Sequence, residues 1–189
     1  MASDGEQGRG RLDPGELGRA AQLLYDAFSL IEGVGGSLSP YVPTQEFVAD
    51  AVAWLAAGFA WARRGPRGQP VYYEPGCGAG RVAERASGRG MYALCLELDE
   101  YLAREAAARA RRSVSMDVVV GDLSVFRPRR VSVAYAYLLP RAVSRVLGAL
   151  QGLGAAVLSL DYPSEDGFEE AERVSIMDVR GRNLYVYAV

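Results

Sequence analysis

From Val71 onward the chain alternates short apolar runs with stretches whose apolar residues recur every three or four positions. The apolar runs are Val71–Glu74, Met91–Glu97, Met116–Val120, Ser132–Leu138 and Ala155–Leu160. Their length and their turn-forming flanks read as buried strands. Between them, Gly80–Ala86, Tyr101–Arg112 and Arg141–Leu150 carry helical spacing. Strands apolar on both faces, alternating with helices, predict a mostly parallel sheet with helices on both faces, an α/β fold of the Rossmann-like kind. The tail breaks the pattern. Val174–Val179 and Leu184–Val189 alternate in side-chain character across a turn at Gly181, which predicts a C-terminal antiparallel hairpin.

Upstream, Leu17, Ala21, Leu24, Phe28 and Ile31 form one face of a helix within 15–31. Thr44 is placed to N-cap a second helix that runs to about Arg63. Residues 1–14 are polar and Gly-rich and read as a disordered tail. The expected organisation is therefore that tail and a single domain over 15–189, with a helical extension at 15–64. The length of 189 residues suits one domain with a real core.

Composition narrows the chemistry. A net charge of -2 argues against a nucleic-acid binder that works by bulk electrostatics. No apolar run reaches membrane-spanning length, and no signal-peptide core opens the chain, so a cytoplasmic protein is expected. With no histidine, a His-based triad is excluded and a metal site is not expected. All 21 basic residues are arginine. The two cysteines read as small residues, Cys77 in a loop and Cys95 in a buried strand, and a disulfide between them is not expected in a cytosolic chain.

The sharpest motif is Glu74-Pro-Gly76-Cys-Gly78-Ala-Gly80-Arg81, after a strand and opening a helix. Glycines let backbone approach a ligand closely, and the strand's carboxyl end is where a parallel sheet binds one. A dinucleotide fingerprint needs a third glycine where this chain has Arg81, so that pattern fails. The loop instead resembles the acid-x-Gly-x-Gly-x-Gly loop of S-adenosylmethionine enzymes. In that reading Gly76, Gly78 and Gly80 make room for the methionine moiety, and Glu74 helps hold its amino end. Glu97 ends the next strand, where a carboxylate can accept from ribose hydroxyls. Asp122 and Leu123 follow the third strand and suit an adenine amino group and ring, although Asp122 is equally suited to cap a turn. The fold expectation sharpens to a class I methyltransferase sheet.

The segment Tyr41-Val42-Pro43-Thr44 before the core resembles archaeal broad-specificity protein-lysine methyltransferases and the mitochondrial lysine methyltransferases of the ATP-synthase c-subunit family. The likeness runs over about 38–163 and includes Tyr135-Ala-Tyr137-Leu-Leu-Pro140 and Ser159-Leu-Asp161-Tyr162. It implies that residues 41–44 close over the cofactor, S-adenosyl-L-methionine, and that Tyr137 borders both cofactor and acceptor. Ala79 departs from the family, which often has an acid there.

A lysine acceptor must lose a proton, which costs about 4–5 kcal/mol at neutral pH. An aromatic, partly dry channel favours the neutral amine. Tyr41, Tyr135, Tyr137 and Tyr162 are the candidates to line it, with Asp161 steering the ammonium in. No residue stands out as an obligatory general base. The expected partners are proteins bearing exposed lysines, with neither membrane nor nucleic acid, and the expected state is a monomer. The competing readings are an RNA or small-molecule methyltransferase and a non-catalytic cofactor-binding domain. No Asn/Asp-Pro-Pro-Tyr tetrapeptide follows the fourth strand, which argues against methylation of adenine or glutamine amino groups.

Overall fold

The computed structural model describes residues 41–62, 68–176 and 181–189. The expected tail at 1–14 and helix within 15–31 lie outside them, as do 177–179 of the anticipated first hairpin strand. The described elements in chain order are α1 (Glu46–Ala62), β1 (Val71–Pro75), α2 (Arg81–Ser87), β2 (Tyr92–Glu97), α3 (Glu100–Ala110), β3 (Met116–Val120), β4 (Val133–Ala136), α4 (Pro140–Leu150), β5 (Ala156–Leu160), β6 (Glu172–Ile176) and β7 (Arg182–Ala188).

The strands form one seven-stranded sheet in the order β3-β2-β1-β4-β5-β7-β6. β1 to β5 run parallel, and β7 pairs antiparallel with both β5 and β6. The expected parallel sheet with a terminal hairpin is what forms, although β7 starts at Arg182, two residues before the alternation becomes visible. The strand order reverses between β1 and β4, and ligands of open α/β sheets bind beyond the strand ends at such a point.

Alternation along each strand divides the core in two. Tyr72, Cys95, Tyr135 and Leu158 pack on one side with the buried faces of α1, α2 and α3. Tyr73, Leu96, Ala134, Ala136 and Val157 pack on the other with α4 and with Tyr185 and Tyr187. Strands buried on both faces need apolar residues at nearly every position, which is why their sequence reads as unbroken apolar runs. No described helix is long and apolar enough to cross a membrane.

Two local expectations are corrected. Gln45, not Thr44, supplies the carbonyl that accepts the first helical bond of α1, from the Ala49 amide at 2.8 Å. The Thr44 hydroxyl turns inward to Tyr135 Oη instead, at 3.1 Å. A buried hydroxyl needs a partner more than an exposed helix end does, because water cannot replace it. Second, Cys77 and Cys95 are joined by a disulfide, with Cα atoms 5.6 Å apart. The tight loop returns over β2 and brings the sulfurs together, which no reading of either residue alone reveals.

Leu158 is fully buried at the centre of the sheet. Leu158→Ala is expected to lower unfolding free energy by about 2–5 kcal/mol, measured by urea denaturation. Val114→Ala, at a fully exposed position, is the control and should stay within about 0.5 kcal/mol of the parent.

Candidate active site

The loop between β1 and α2 lies at the carboxyl edge of the sheet. Gly76, Gly78 and Gly80 have φ of 67°, 53° and 75°, a region that suits glycine far better than other residues. Close contacts add a second constraint. A β-carbon on Gly78 would stand 2.3 Å from the Tyr41 ring, and one on Gly80 would stand 2.9 Å from Ala106 and Met116. Tyr41 therefore lies directly on the bare backbone of the loop. Val42 and Pro43 are exposed beside it, and Thr44 is buried.

The loop is held from below by β2. Gly76 and Cys77 amides both donate to Leu96 O, at 2.7 and 3.2 Å. The Gly78 amide donates to Glu97 Oε2 at 2.7 Å. Glu97 Oε1 accepts from the Leu98 and Asp99 amides at 2.8 and 2.9 Å. A carboxylate offers about four acceptor positions, so this one retains room for one further donor while holding three amides. A ribose with two hydroxyls can gain its second bond only if an amide contact is shared. Asp99 in turn N-caps α3 through the Tyr101 and Leu102 amides. The exposed Leu98, next to Glu97, is an apolar surface that sequence reasoning passed over.

Glu74 lies beneath the loop. It accepts from Tyr72 Oη at 2.9 Å and from the Ala83 backbone amide at the start of α2. Burial pushes its carboxyl up to about 8, and the nearby Glu97 adds to this, against the lowering effect of both hydrogen bonds. Its contacts are thus with the protein: it links the loop's entry to the helix that follows. Tyr135 is also fully buried, and burial raises its hydroxyl well above the ordinary tyrosine range. It supports Thr44 from inside and is not a wall of an open channel. Asp122 Oδ1 accepts from the Ser124 amide at 2.7 Å, the turn-capping alternative, while Leu123 packs with the α4-side core.

Tyr137, Asp161 and Tyr162 meet at the ends of β4 and β5. The two rings stack with centroids 6.2 Å apart. Arg182, at the start of β7, joins them: its Nε donates to Asp161 Oδ2 at 2.8 Å, and its guanidinium also reaches Tyr137 Oη. The guanidinium carbon sits 4.9 Å from the Tyr137 ring centroid. Asp161 adopts φ of 64°, an uncommon conformation for a non-glycine residue and one often kept at functional sites. Arg182 was missed in the sequence because it precedes the alternating run. Its only signal is a charge at the mouth of an otherwise apolar strand.

Two features of the glycine-loop corner are open to a ligand's polar groups: the bare glycine backbone and the remaining acceptor position on Glu97. Arg81 Nε is buried without a hydrogen-bond partner among the described residues, while its Nη1 donates to Glu46.

No protein-family model matches the sequence, and no curated protein matches it. Solved structures do match in shape. An RNA methyltransferase from Salinibacter ruber, bound to S-adenosyl-L-homocysteine, is similar with a TM-score of 0.65 and 24% identity, over 78% of this chain and 94% of that one. A second, described as a putative RNA methyltransferase from Pyrococcus horikoshii, has a TM-score of 0.60 at 18% identity, over 80% and 87% of the two chains. This chain carries the class I methyltransferase fold. A tRNA (uracil-54, C5)-methyltransferase from Pyrococcus abyssi, also bound to S-adenosyl-L-homocysteine, shares it with a TM-score of 0.55 at 12% identity, over 79% of this chain and 40% of that one.

Glu74 gives a pH test. Its carboxyl is raised from 4.5 to about 8 on folding. Above about 4.5 the unfolded chain releases this proton while the folded one keeps it, so stability falls from about pH 5 to 8 and levels off beyond, and the penalty is absent below 4.5. Glu74→Gln keeps an acceptor for Tyr72 and Ala83 without that ionisation. Its Tm should rise relative to the parent between pH 5 and 9, and parallel Tm–pH curves would refute the assignment.

Proposed function

We propose that this protein is an S-adenosylmethionine-dependent methyltransferase whose acceptors are lysine side chains of other proteins. The observation that carries the cofactor reading is Glu97 at the end of β2, locking a glycine loop at the sheet's switch point. Two chains of the same fold are crystallised in complex with S-adenosyl-L-homocysteine, which supports this choice of cofactor. The fold by itself would not suffice, since one fold hosts many activities.

In this reading Gly76, Gly78 and Gly80 leave backbone amides bare for the methionine end, and Glu97 takes a ribose hydroxyl. Leu98 and Leu123 present apolar surface to the adenine, with Asp122 near its amino group. Tyr41 to Thr44 cover the loop and exclude water. When bound, the cofactor supplies an electrophilic methyl group on a sulfonium. The protein's task is then to hold an acceptor nitrogen in line with it, and positioning of this kind supplies much of the rate.

The acceptor class is supported by the Tyr137–Tyr162 stack and by the resemblance of residues 41–44 to protein-lysine enzymes. A half-buried aromatic surface favours a neutral amine over an ammonium. Two of the similar structures are described as RNA methyltransferases, which makes RNA the second reading. Against it, Arg182 at the aromatic pair is already matched by Asp161, so this corner offers no surplus positive charge to a phosphate.

The deciding experiment is transfer of radiolabelled methyl to a panel of lysine-rich proteins and to RNA. Having no lysine, the enzyme adds no lysine label of its own. Label on the lysine ε-nitrogen supports the proposal, and label only on RNA replaces it. Glu97→Ala removes a charged contact worth about 1.5–3 kcal/mol, so cofactor affinity should fall on the order of ten- to a hundredfold. If no protein group takes the lysine proton, as expected where no residue stands out as an obligatory general base, the rate climbs with pH toward about 9–10 as the lysine deprotonates. A bell centred on neutrality would count against that mechanism.

A further inference from the structure

The disulfide ties together the two elements from which the cofactor site is built. Cys77 is the middle residue of Gly76-Cys77-Gly78, and Cys95 lies in β2 two residues before Glu97. The Cα separation of 5.6 Å is within the span a disulfide requires, about 4.4–6.8 Å. Both residues are buried, Cys95 completely and Cys77 to 7% exposure. Both belong to the core cluster on the side of the sheet covered by α1, α2 and α3.

The other attachments of this loop to β2 are the three amide contacts to Leu96 O and Glu97 Oε2. Three glycines with positive φ make the segment costly to order, because glycine loses more conformational freedom than any other residue. Those hydrogen bonds can exchange with water. The covalent bond cannot, and it does not depend on the carboxylate that the ligand also uses.

We propose that the Cys77–Cys95 bond is a redox-sensitive clamp on the ligand site: oxidised, it holds the glycine loop in register with Glu97, and reduced, it releases the loop and weakens binding. The proposal rests on the reading that this loop receives S-adenosylmethionine. Formation consumes a disulfide oxidant by exchange: two protein thiols and one molecule of oxidised glutathione give the protein disulfide and two molecules of reduced glutathione. Cleavage by a phosphine and water gives two thiols and the phosphine oxide. The coupling is reciprocal, as any linkage must be. A ligand that prefers the clamped loop stabilises the disulfide by the same factor. A tenfold preference corresponds to a shift of about 30 mV toward more negative potential for this two-electron couple.

The test uses the full chain and S-adenosylhomocysteine, which binds without transferring a methyl group. Affinity is measured calorimetrically for protein equilibrated with oxidised glutathione and for protein treated with tris(2-carboxyethyl)phosphine. Thiol alkylation and intact mass establish each redox state, and far-UV circular dichroism confirms that the fold is retained. The oxidised form is expected to bind on the order of tenfold more tightly. Cys77→Ser should match the reduced form and no longer respond to the phosphine. Saturating ligand should move the glutathione midpoint of the parent by the same factor, a readout that a staple irrelevant to binding would not change. Equal affinity in both states overturns the clamp alone, as does a protein that remains dithiol in oxidised glutathione. Absence of binding in either state overturns the proposed activity and the clamp with it.

Discussion

A carboxylate at the end of one strand receives the amide of the loop that leaves the next strand. Glu97 accepts from Gly78, and the geometry of the site follows from that bond. For the amide to arrive there, the backbone must turn through left-handed conformations at Gly76, Gly78 and Gly80. No side chain may stand on Gly78, because the Tyr41 ring occupies the space. The same carboxylate holds the Leu98 and Asp99 amides, and Asp99 starts α3. One charged group thus sets the approach to a helix start and the path of the glycine loop. A hydrogen bond to a charge is worth about 1.5–3 kcal/mol, enough to hold such a loop where neutral contacts alone would leave it open.

Burying charge to make this site has a consequence beneath it. Among the described residues Glu74 has no guanidinium partner, and its compensation is a tyrosine hydroxyl and a helix-start amide. These do not offset the loss of water, so the carboxyl is pushed up to about 8. A neutral acid under the loop also spares Glu97 a second nearby negative charge. The neighbouring Tyr135–Thr44 pair extends the buried polar chain from β4 to the segment that enters α1. Outside, Glu46 and Asp50 of α1 meet Arg81, Arg85 and Arg89. These exposed pairs contribute little energy each, but together they fix the face on which α1 lies against α2.

The cluster at the ends of β4 and β5 is built differently. Its residues come from three strand ends distant in sequence: Tyr137 after β4, Asp161 and Tyr162 after β5, and Arg182 at the start of β7. The antiparallel insertion of β7 beside β5 is what delivers Arg182 to Asp161. A purely parallel sheet would place no strand start at this edge. The C-terminal hairpin therefore contributes Arg182 to this cluster and does more than close the sheet.

The order of elements, the parallel sheet and the location of the glycine loop were legible along the chain. Each rests on local physics: apolar runs of strand length, helical spacing, and glycines where backbone must bend. Glu97 was legible because it ends an apolar run. What tertiary structure decided is which groups are partnered. Thr44 looked like a helix cap, yet its hydroxyl serves Tyr135, ninety-one positions away. Tyr135 looked like a channel wall and is buried support. Asp161 was read as steering an ammonium in, and its carboxylate accepts from Arg182. Cys77 and Cys95 looked like two small residues and are one bond. Periodicity and turn chemistry act between near neighbours, so sequence by itself determines the elements and their order. Hydrogen bonds, ion pairs and disulfides act through space, so only the folded chain assigns their partners.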